Sequence, residues 1–400
     1  MRLYLLALPP TDSVTEGFLP AAQRLGLDVT VITDHAEPHR RAYAGLAVVP
    51  EVVELDPRDF REVISFVSRH HPPAAIFSNS DHLQTQTALA AQYFGLPAKD
   101  WKATFRAKNK AQLRRHLAAT GLDTVRSAEV APGNDPAELA ELDIPFPCIV
   151  KPREGVASED VALAENLDQL LAAARGIRER RPTGGLVIEE YLEGQLCTLE
   201  TLGDATTRHV VGGFRTEVLL PTFIEKLLEF VPQHPQPVVD QILAQLDEVG
   251  VGLGACHTEF VIQADGRARI IEVNYRAIGD RLDLLLPRLL GIPYFELVLR
   301  VHLGEALPAD LGIRSGLLTH SFYLCADQAG TLTTAPEATD QVIDGVELSY
   351  RPLRAIGETH PLHGTNRDYL GVIETIGPDL DEVRRVAAEF LEAHRWEITP

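Results

Sequence analysis

Residues 256–280 have the sequence CHTEFVIQADGRARIIEVNYRAIGD, a pattern that is typical of two β-strands joined by a turn. In the second strand Glu272, Asn274 and Arg276 alternate with more apolar residues. Because successive side chains of a strand point to opposite faces, these polar groups share one face at intervals of roughly 6.5 Å. An acid, an amide and a guanidinium therefore form a row along the predicted hairpin.

The turn determines which residues face each other across the hairpin. Asp265-Gly266 is a dipeptide favoured in two-residue turns, since both residues tolerate positive φ, and it predicts that Ala264 lies opposite Arg267. Counting outward gives three further pairs: Phe260 with Ile271, Glu259 with Glu272, and His257 with Asn274. In this register two carboxylates are direct neighbours.

Two interpretations of the acidic pair remain open from the hairpin alone. Like charges directly opposite on a sheet are destabilising, with Cβ atoms about 5 Å apart, so a cation between them is expected. A hard divalent cation would accept the two carboxylates of Glu259 and Glu272 together with the amide oxygen of Asn274. Arg276 could then bind a phosphate or carboxylate. Alternatively, the polar face is simply solvated, as most charged strand positions are.

Composition limits the class of protein. The 400 residues, 45% apolar and 24% charged, suffice for two or three globular domains. A net charge of −20 argues against general binding to nucleic acid or an anionic membrane, because both need clustered Lys and Arg. The four cysteines are widely spaced, which indicates neither a disulfide framework nor a thiolate zinc site. The N-terminal apolar run is too short for a signal peptide, so a cytoplasmic location is predicted.

The order of elements predicts an α/β and α+β multidomain fold. Strands near residues 3–8, in DVTVIT and in AAIFSNSD alternate with helices, which implies an N-terminal Rossmann-like parallel sheet. This part has no GxGxxG motif, so a scaffold role is expected for it. A helix in KNKAQLRRHLAATGL, the strand FPCIVKP, a loop, another helix and the strand GLVIEEYLEG follow.

Three further segments carry candidate binding groups. Lys151 ends an apolar strand, where an ammonium could reach a phosphate, although a surface lysine is the commoner case. The loop REGVASEDV offers Gly155 and Ser158 as phosphate donors. The strand end VIEEYLEG could hold an adenine ring through backbone groups, or be a solvated edge.

Taken in order, Lys110, Lys151, the loop, EEYLEG, Glu259 and EVNYR resemble the ATP-grasp superfamily. The resemblance covers residues 101–304. It implies an N-terminal α/β domain over 1–100, an ATP-grasp domain of two α+β subdomains over 101–304 with a lid at about 125–191, and a C-terminal α+β domain over 305–400. The cofactors it implies are ATP and Mg²⁺, for which Mn²⁺ could substitute.

The resemblance also implies a role for each matching residue. Magnesium would be bound by Glu259, Glu272 and Asn274, and Arg276 would be catalytic, steadying the transferring phosphoryl group or the acyl phosphate. The ATP-binding residues would be Lys110, Lys151, Ser158, Glu189, Glu190, Tyr191 and Leu192, with the first two on phosphates and the last four around adenine.

Two departures from the superfamily pattern stand out. The loop has SEDV where Ser-x-Gly-Val is usual, so Asp160 replaces a glycine and, with Glu159, adds negative charge near the phosphates. Leu196 lies where many members carry a ribose-binding acid, which leaves Glu193 or Glu200 as substitutes.

Within the superfamily, NYRAIGDRLDLLLPRLLGIPYFELVLRVHLG resembles carboxylate–amine ligases that join amino acids. That likeness implies that a carboxylate attacks the γ-phosphate of ATP and that an amine displaces phosphate from the acyl phosphate. The substrate pocket is expected at Gly279 and Asp280, with Asp280 near an amine and with Arg215 and Arg276 on carboxylate groups.

The expected partners are small-molecule carboxylates and amines on the amino-acid or polycarboxylate scale, with no nucleic acid and no membrane; a homodimer is compatible with the resemblance. Dipeptides, siderophore amides and other small natural products remain open as products. The alternatives are an ATP-binding regulatory protein without catalysis and a carboxylase relative that uses bicarbonate.

Overall fold

The computed structural model describes residues 1–123, 125–134, 137, 139, 143–314 and 316–400. Within these ranges the strands form four sheets, of which the N-terminal one is parallel. The predicted fold class, a Rossmann-like parallel unit followed by antiparallel α+β subdomains, is confirmed.

The N-terminal unit is a parallel sheet with apolar packing on both faces. Leu3 and Leu5 pack on one face with Phe18, whereas Tyr4 and Leu6 pack on the other, as alternation along a strand requires. The strand order is β3-β2-β1-β4. Its elements are β1 Arg2–Leu6, a π-helical segment Ser13–Phe18, α1 Leu19–Arg24, β2 Asp28–Thr33, α2 Ala36–Tyr43, β3 Glu51–Glu54, α3 Phe60–Val67, β4 Pro73–Phe77 and α4 Gln84–Tyr93.

Two helices lead into a small antiparallel sheet of order β5-β8-β6-β7. The elements are α5 Trp101–Lys108, α6 Lys110–Thr120, β5 Ser127–Val130, β6 Cys148–Pro152, β7 Ala162–Ala164, α7 Leu167–Arg180 and β8 Leu186–Glu190. Helix α6 ends at Gly121, whose φ of 75° is the left-handed cap predicted from the sequence. Helix α7 covers the sheet through Leu170, Ala174 and Ile177.

The large sheet has ten strands, with β10 paired to β9 beside the main order β14-β13-β9-β11-β12-β15-β20-β18-β17. Strands β15, β17, β18 and β20 of this sheet come from the C-terminal part of the chain, so the sheet includes strands from both sides of residue 304. The elements are β9 Gln195–Asp204, β10 Arg208–Val210, β11 Gly213–Leu219, β12 Ile224–Val231, α8 Gln236–Val249, β13 Leu253–Ile262, β14 Ala268–Asn274, α9 Leu282–Leu290, α10 Tyr294–His302, β15 Leu318–Cys325, β17 Thr339–Ile343, β18 Val346–Pro352 and β20 Tyr369–Gly377.

The rest of the C-terminal part packs against this sheet. Helix α11, Leu380–Ala393, covers it with Val383, Val386 and Phe390. A separate three-stranded sheet contains β16 Gly330–Thr334, β19 Thr359–His360 and β21 Glu397–Thr399, and a 3-10 helix spans Asn366–Asp368.

The turn of the β13–β14 hairpin differs from the prediction. The Gln263 N–H donates to the Arg267 carbonyl at 2.9 Å, so three residues form the loop and Ala264 does not lie opposite Arg267. Gly266, with a φ of 82°, supplies the left-handed residue that such a loop needs. Composition indicated a tight turn correctly but could not distinguish two loop residues from three.

A β-bulge between Glu259 and Phe260 compensates for the longer loop. Near the turn Phe260 faces Ile270, so the predicted pair with Ile271 is wrong. Beyond the bulge the register returns to the predicted one, with Glu259 opposite Glu272 and His257 opposite Asn274. The two carboxylates are therefore neighbours, as expected.

Two expectations from composition can be compared with the structure. Cys148, Cys197 and Cys256 are free and buried, as expected for small apolar residues, while the free Cys325 is partly exposed. Among the helices of the described residues, none combines the length and the apolar character that a membrane crossing requires.

Candidate active site

A cavity of 310 Å³ lies between the small sheet and the large sheet. It is also lined by the loop after β6, by Asp81 of the N-terminal unit and by Asn366 near the C-terminus. Fourteen residues predicted from the sequence line it: Lys110, Lys151, Gly155, Ser158, Glu189, Glu190, Tyr191, Leu192, Glu259, Glu272, Asn274, Arg276, Gly279 and Asp280. The fold thus brings together in one site residues from several short motifs, each of which is a weak signal by itself.

Arg215 lies elsewhere, and the prediction that it lines the pocket is wrong. Its neighbour Phe214 is fully buried in the core that packs against the N-terminal unit. Alternation along β11 then turns Arg215 to the opposite face of the sheet, where it is exposed. The sequence identified the strand but not which of its faces borders the cavity.

At one end of the cavity a buried carboxylate is held by two cations. Glu189 accepts a hydrogen bond from Arg114 Nε at 2.9 Å, and Lys151 Nζ lies 2.8 Å from its other oxygen. Burial alone would raise the pKa of Glu189, but Arg114 and Lys151 lower it to about 2. Both oxygens already face cations, so an adenine amino group would have to share Oε1 with Arg114.

Arg114 was missed by the sequence reasoning. It lies on α6 one turn after Lys110, and both side chains line the cavity. Besides Glu189 it pairs with Asp123 at 2.8 Å. The i,i+4 spacing of two cations on a buried helix face was the available signal.

The segment after β8 offers backbone groups at the same end of the cavity. The amide of Glu190 donates to the Arg126 carbonyl at 2.9 Å, and that of Tyr191 donates to the Pro147 carbonyl at 3.0 Å. These two N–H groups are therefore used by the fold, which leaves their carbonyls and the amide of Leu192 as candidate contacts for a base.

The loop after β6 closes one side of the cavity. Ser158 Oγ donates to the Phe223 carbonyl at 2.9 Å, which joins the loop to the turn between β11 and β12. Asp160 has a φ of 58°, and Asp is among the residues that tolerate this conformation where glycine is usual.

The acids of this loop are neutralised. Asp160 lies 2.5 Å from Arg181 Nε and 2.7 Å from Arg180 Nη2, and Glu159 lies 2.7 Å from Arg181 Nη2. Arg367 contacts the other oxygen of Glu159 at 2.5 Å. The SEDV departure is therefore accompanied by three guanidinium groups, which offset the charge expected to oppose phosphates.

The two acids of the hairpin are each paired with neighbouring polar or positively charged groups. Lys110 Nζ lies 2.7 Å from Glu272 Oε1, and Asn274 Nδ2 donates to Glu259 Oε1 at 3.0 Å. His257 Nε2 lies 3.6 Å from the same oxygen of Glu259. Each of the two like charges thus has polar partners of its own, as their proximity requires.

His257 is itself held by a buried acid. Its Nδ1 lies 2.7 Å from Glu200, which is 1% exposed. Burial would lower the pKa of His257, but Glu200 raises it to about 10. Glu200 therefore lies beneath the histidine, and neither it nor the exposed Glu193 lines the cavity where a ribose acid was sought.

The side chains on the hairpin offer too few ligands to enclose a metal ion by themselves, but they suit Mg²⁺, which takes its other ligands from water and phosphates. Among the residues described, no group of three or more His, Cys, Asp or Glu side chains is arranged to hold a metal ion. Two carboxylates and one amide, Glu259, Glu272 and Asn274, are hard oxygen donors. Mg²⁺ typically takes one or two carboxylates and completes its shell with water and substrate phosphates.

The far end of the cavity is acidic. Glu225 contacts Asn366 Nδ2 at 3.4 Å, and its carbonyl accepts from the Tyr369 hydroxyl at 2.7 Å. Burial, followed by Glu259 and Asp280, raises the pKa of Glu225 to about 8. Glu225 and Asn366 were not predicted, because only the folded chain brings β12 and the C-terminal loop to the hairpin.

Two family models match the chain: an ATP-grasp domain at residues 144–283 and an ATP-grasp N-terminal domain at residues 19–98. A curated protein of Sinorhizobium fredii, y4rH, described as uncharacterized, is 25% identical over all of this chain and 84% of its own length.

Two solved structures have the same fold. The L-amino acid ligase of Bacillus licheniformis has a TM-score of 0.80 at 21% identity, over 100% of this chain and 99% of that one. The biotin carboxylase domain of Hydrogenobacter thermophilus 2-oxoglutarate carboxylase, solved with MgADP and bicarbonate, has a TM-score of 0.74 at 15% identity, over 99% of this chain and 91% of that one. The two family matches, which together span more than half of the residues, show that this chain belongs to the ATP-grasp superfamily.

Proposed function

We propose that this protein is an ATP-dependent carboxylate–amine ligase, which forms an amide bond through an acyl phosphate and releases ADP and phosphate. The observation that carries this proposal is the polarity of one cavity, with cations at the nucleotide end, two adjacent carboxylates in the middle and further acids at the far end. The likeness to the Bacillus licheniformis L-amino acid ligase over the full chain supports amino acids as the substrate class.

The nucleotide end suits ATP. Lys110 and Lys151 are buried ammonium groups that line the cavity, and their present partners are the carboxylates of Glu272 and Glu189. When a triphosphate binds, its oxygens would replace these carboxylates as the partners of the two ammonium groups. The lysines would then remain paired while they hold the ligand. Tyr191, Leu192 and the carbonyl of Glu190 would surround the base. The MgADP complex of the carboxylase relative supports a magnesium nucleotide here.

The middle of the cavity would hold the metal and the reacting groups. Glu259, Glu272 and Asn274 would bind Mg²⁺, or Mn²⁺ in its place, which neutralises phosphate charge when bound. Arg276 would neutralise the transferring phosphoryl group and orient the substrate carboxylate. These groups align and stabilise charge, and the reaction needs no side-chain nucleophile.

The acidic end suits the amine. Burial, followed by Glu259 and Asp280, raises the pKa of Glu225, and burial together with Glu259 raises that of Asp280. An ammonium group placed there would relieve this repulsion. Gly279, which adjoins the Arg276 guanidinium, would leave room for the substrate between the two charges.

The non-catalytic alternative loses its main support. It rested on the acids of the SEDV loop, which would weaken phosphate binding, but these acids are paired with Arg180, Arg181 and Arg367.

Closure of residues 125–191 over ATP remains part of our proposal, as do the domain limits near 100 and 304. Reduced proteolysis of 125–191 on adding ATP would support the closure, and unchanged proteolysis would contradict it.

The test is nucleotide product analysis with purified protein, ATP and Mg²⁺ across amino acids, polyamines and di- and tricarboxylic acids. ADP and phosphate that appear only with one acid and amine pair would support the ligase and would distinguish dipeptide, siderophore and other amide products. AMP and pyrophosphate would replace the acyl phosphate with an adenylate. ATP binding without turnover would favour the non-catalytic protein, and dependence on bicarbonate would favour the carboxylase.

A further inference from the structure

The N-terminal unit contacts the end of strand β14 directly. The Ala277 amide donates to Asn79 Oδ1 at 3.0 Å, and Lys99 Nζ donates to the Tyr275 carbonyl at 2.5 Å. Lys99 is buried and is in turn fixed by Gln84 Oε1 at 2.7 Å. Asn79 and Lys99 of the N-terminal unit therefore hold the segment 275–277 that carries Arg276. From the sequence, this unit was expected to be only a scaffold.

Asn79 belongs to the loop after β4, Ser78–Asp81, which further hydrogen bonds hold in place. Ser78 Oγ donates to the Leu6 carbonyl at 2.7 Å. Gln84 Nε2 donates to the carbonyls of Ser78 and Ser80 at 2.9 and 2.8 Å. Side chains of this loop are thus held in fixed positions at the carboxyl end of a parallel sheet, which is where such sheets commonly carry functional groups.

Asp81 extends from this loop into the cavity. Its side chain is 10% exposed, and its carboxylate lies 3.5 Å from Arg276 Nε and 3.2 Å from Lys108 Nζ. Burial would raise the pKa of Asp81, but Arg276 and Lys108 lower it to about 2, so the carboxylate is ionised beside the guanidinium.

Two of the three nitrogens of the Arg276 guanidinium have partners, one through a hydrogen bond and one through an ion pair at 3.5 Å. Nε faces Asp81, and Nη1 donates to the Ala277 carbonyl at 2.8 Å. Within the described ranges this arrangement leaves the Nη2 group for a ligand. A guanidinium is planar, so fixing two nitrogens fixes the direction of the third.

We propose that Asp81 is a positioning residue for Arg276: it fixes the guanidinium so that the Nη2 group meets the carboxylate or acyl phosphate of the substrate. This inference rests on the proposed function for its catalytic meaning. It assigns the N-terminal unit a direct part in the reaction, because the two residues come from different sheets and meet only at the cavity.

The contact itself can be tested without turnover. In ¹⁵N-labelled protein the Arg276 Nε–H signal is identified by its absence in Arg276→Lys. We expect Asp81→Asn to speed exchange of this proton with solvent about tenfold, because the buried ion-pair partner that holds Nε away from water is lost. Lys108→Met, which removes the other cation beside Asp81, is the matched control and should change the exchange rate less than about twofold. Equal exchange in Asp81→Asn and the wild type would overturn the proposal.

A double-mutant cycle tests the catalytic consequence. Asp81→Asn should lower kcat about tenfold in the wild-type background and less than about twofold in Arg276→Lys, with the KM for ATP changed less than about threefold in both. A tenfold loss in both backgrounds would mean that Asp81 acts independently of Arg276, which contradicts the proposal. If the wild type releases no ADP with any substrate pair, the proposed function fails, while the exchange measurement still decides whether Asp81 holds Arg276.

Discussion

The ammonium of Lys110 lies 2.7 Å from the carboxylate of Glu272, although the two residues are 162 positions apart in the sequence. Burial would lower the pKa of Lys110, but Glu272 raises it, so the ammonium keeps its charge. One residue is proposed to bind phosphate and the other magnesium. In the free protein each therefore serves as the counter-charge of the other, which limits the cost of burying either alone.

The first prediction concerns Glu272. We expect Glu272→Ala to abolish ADP formation without unfolding the protein, because a proposed metal ligand is lost while repulsion with Glu259 is relieved. Turnover and the thermal midpoint should be measured together. Glu193→Gln, at an exposed site outside the cavity, is the control and should keep wild-type turnover. Full turnover in Glu272→Ala would remove the metal assignment.

The second prediction concerns the buried guanidinium of Arg114, whose side chain is 3% exposed. Arg114→Met should lower the free energy of unfolding by about 3–5 kcal/mol, because Glu189 and Asp123 lose a buried partner. The adjacent Arg115 is 59% exposed and pairs with Glu129 at 3.0 Å. Arg115→Met is therefore expected to cost less than about 1 kcal/mol. Urea denaturation of both variants checks this, and equal costs would contradict the prediction.

The acidic pair of the hairpin, Glu259 and Glu272, illustrates how much of the site could be predicted from the sequence. Glu272 was predictable because alternation along a strand and a turn signal place Glu259 opposite it without further information. The bulge that corrects for the three-residue loop kept this pair intact, so an error near the turn did not reach the site. His257 was also within reach, since the same count placed it opposite Asn274, on the face of the two acids.

The remaining site residues depend on tertiary structure. Asp81, Glu225 and Asn366 reach the cavity from the N-terminal unit, from β12 and from the C-terminal loop, and no local pattern relates these segments. The error at Arg215 has a related cause. Alternation separates the two faces of β11, but only packing against the N-terminal unit determines which face lies toward the cavity.

The third prediction concerns the loop acids. Asp160→Gly, which restores the usual glycine, should leave turnover unchanged, because Asp160 is paired with Arg180 and Arg181 and does not line the cavity. Arg181→Met should raise the KM for ATP several-fold, since it leaves Glu159 and Asp160 with less compensation near the proposed phosphates. Steady-state kinetics with ATP varied measures both variants. A large gain of turnover in Asp160→Gly would mean that its charge does reach the phosphates.

The fourth prediction uses the pKa of Glu225, which burial and the neighbours Glu259 and Asp280 raise from its ordinary 4.5 to about 8. At pH values below 4.5 both the folded and the unfolded chain hold the proton, so Glu225 adds no pH dependence to the free energy of unfolding there. As the pH rises from 4.5 to about 8, the unfolded chain loses the proton before the folded chain does. The contribution of Glu225 to stability therefore falls with rising pH across this window and is constant above it.

Glu225→Gln removes this dependence. We expect its free energy of unfolding, relative to the wild type, to increase between about pH 5 and about pH 8. Urea denaturation at several pH values within this window measures the difference, and the exposed Glu217→Gln on the neighbouring strand controls for the loss of one carboxylate. If the Glu225→Gln and wild-type curves remain parallel, the carboxyl is already ionised in the folded protein. The raised pKa of Glu225 would then no longer support the assignment of the acidic end to the amine.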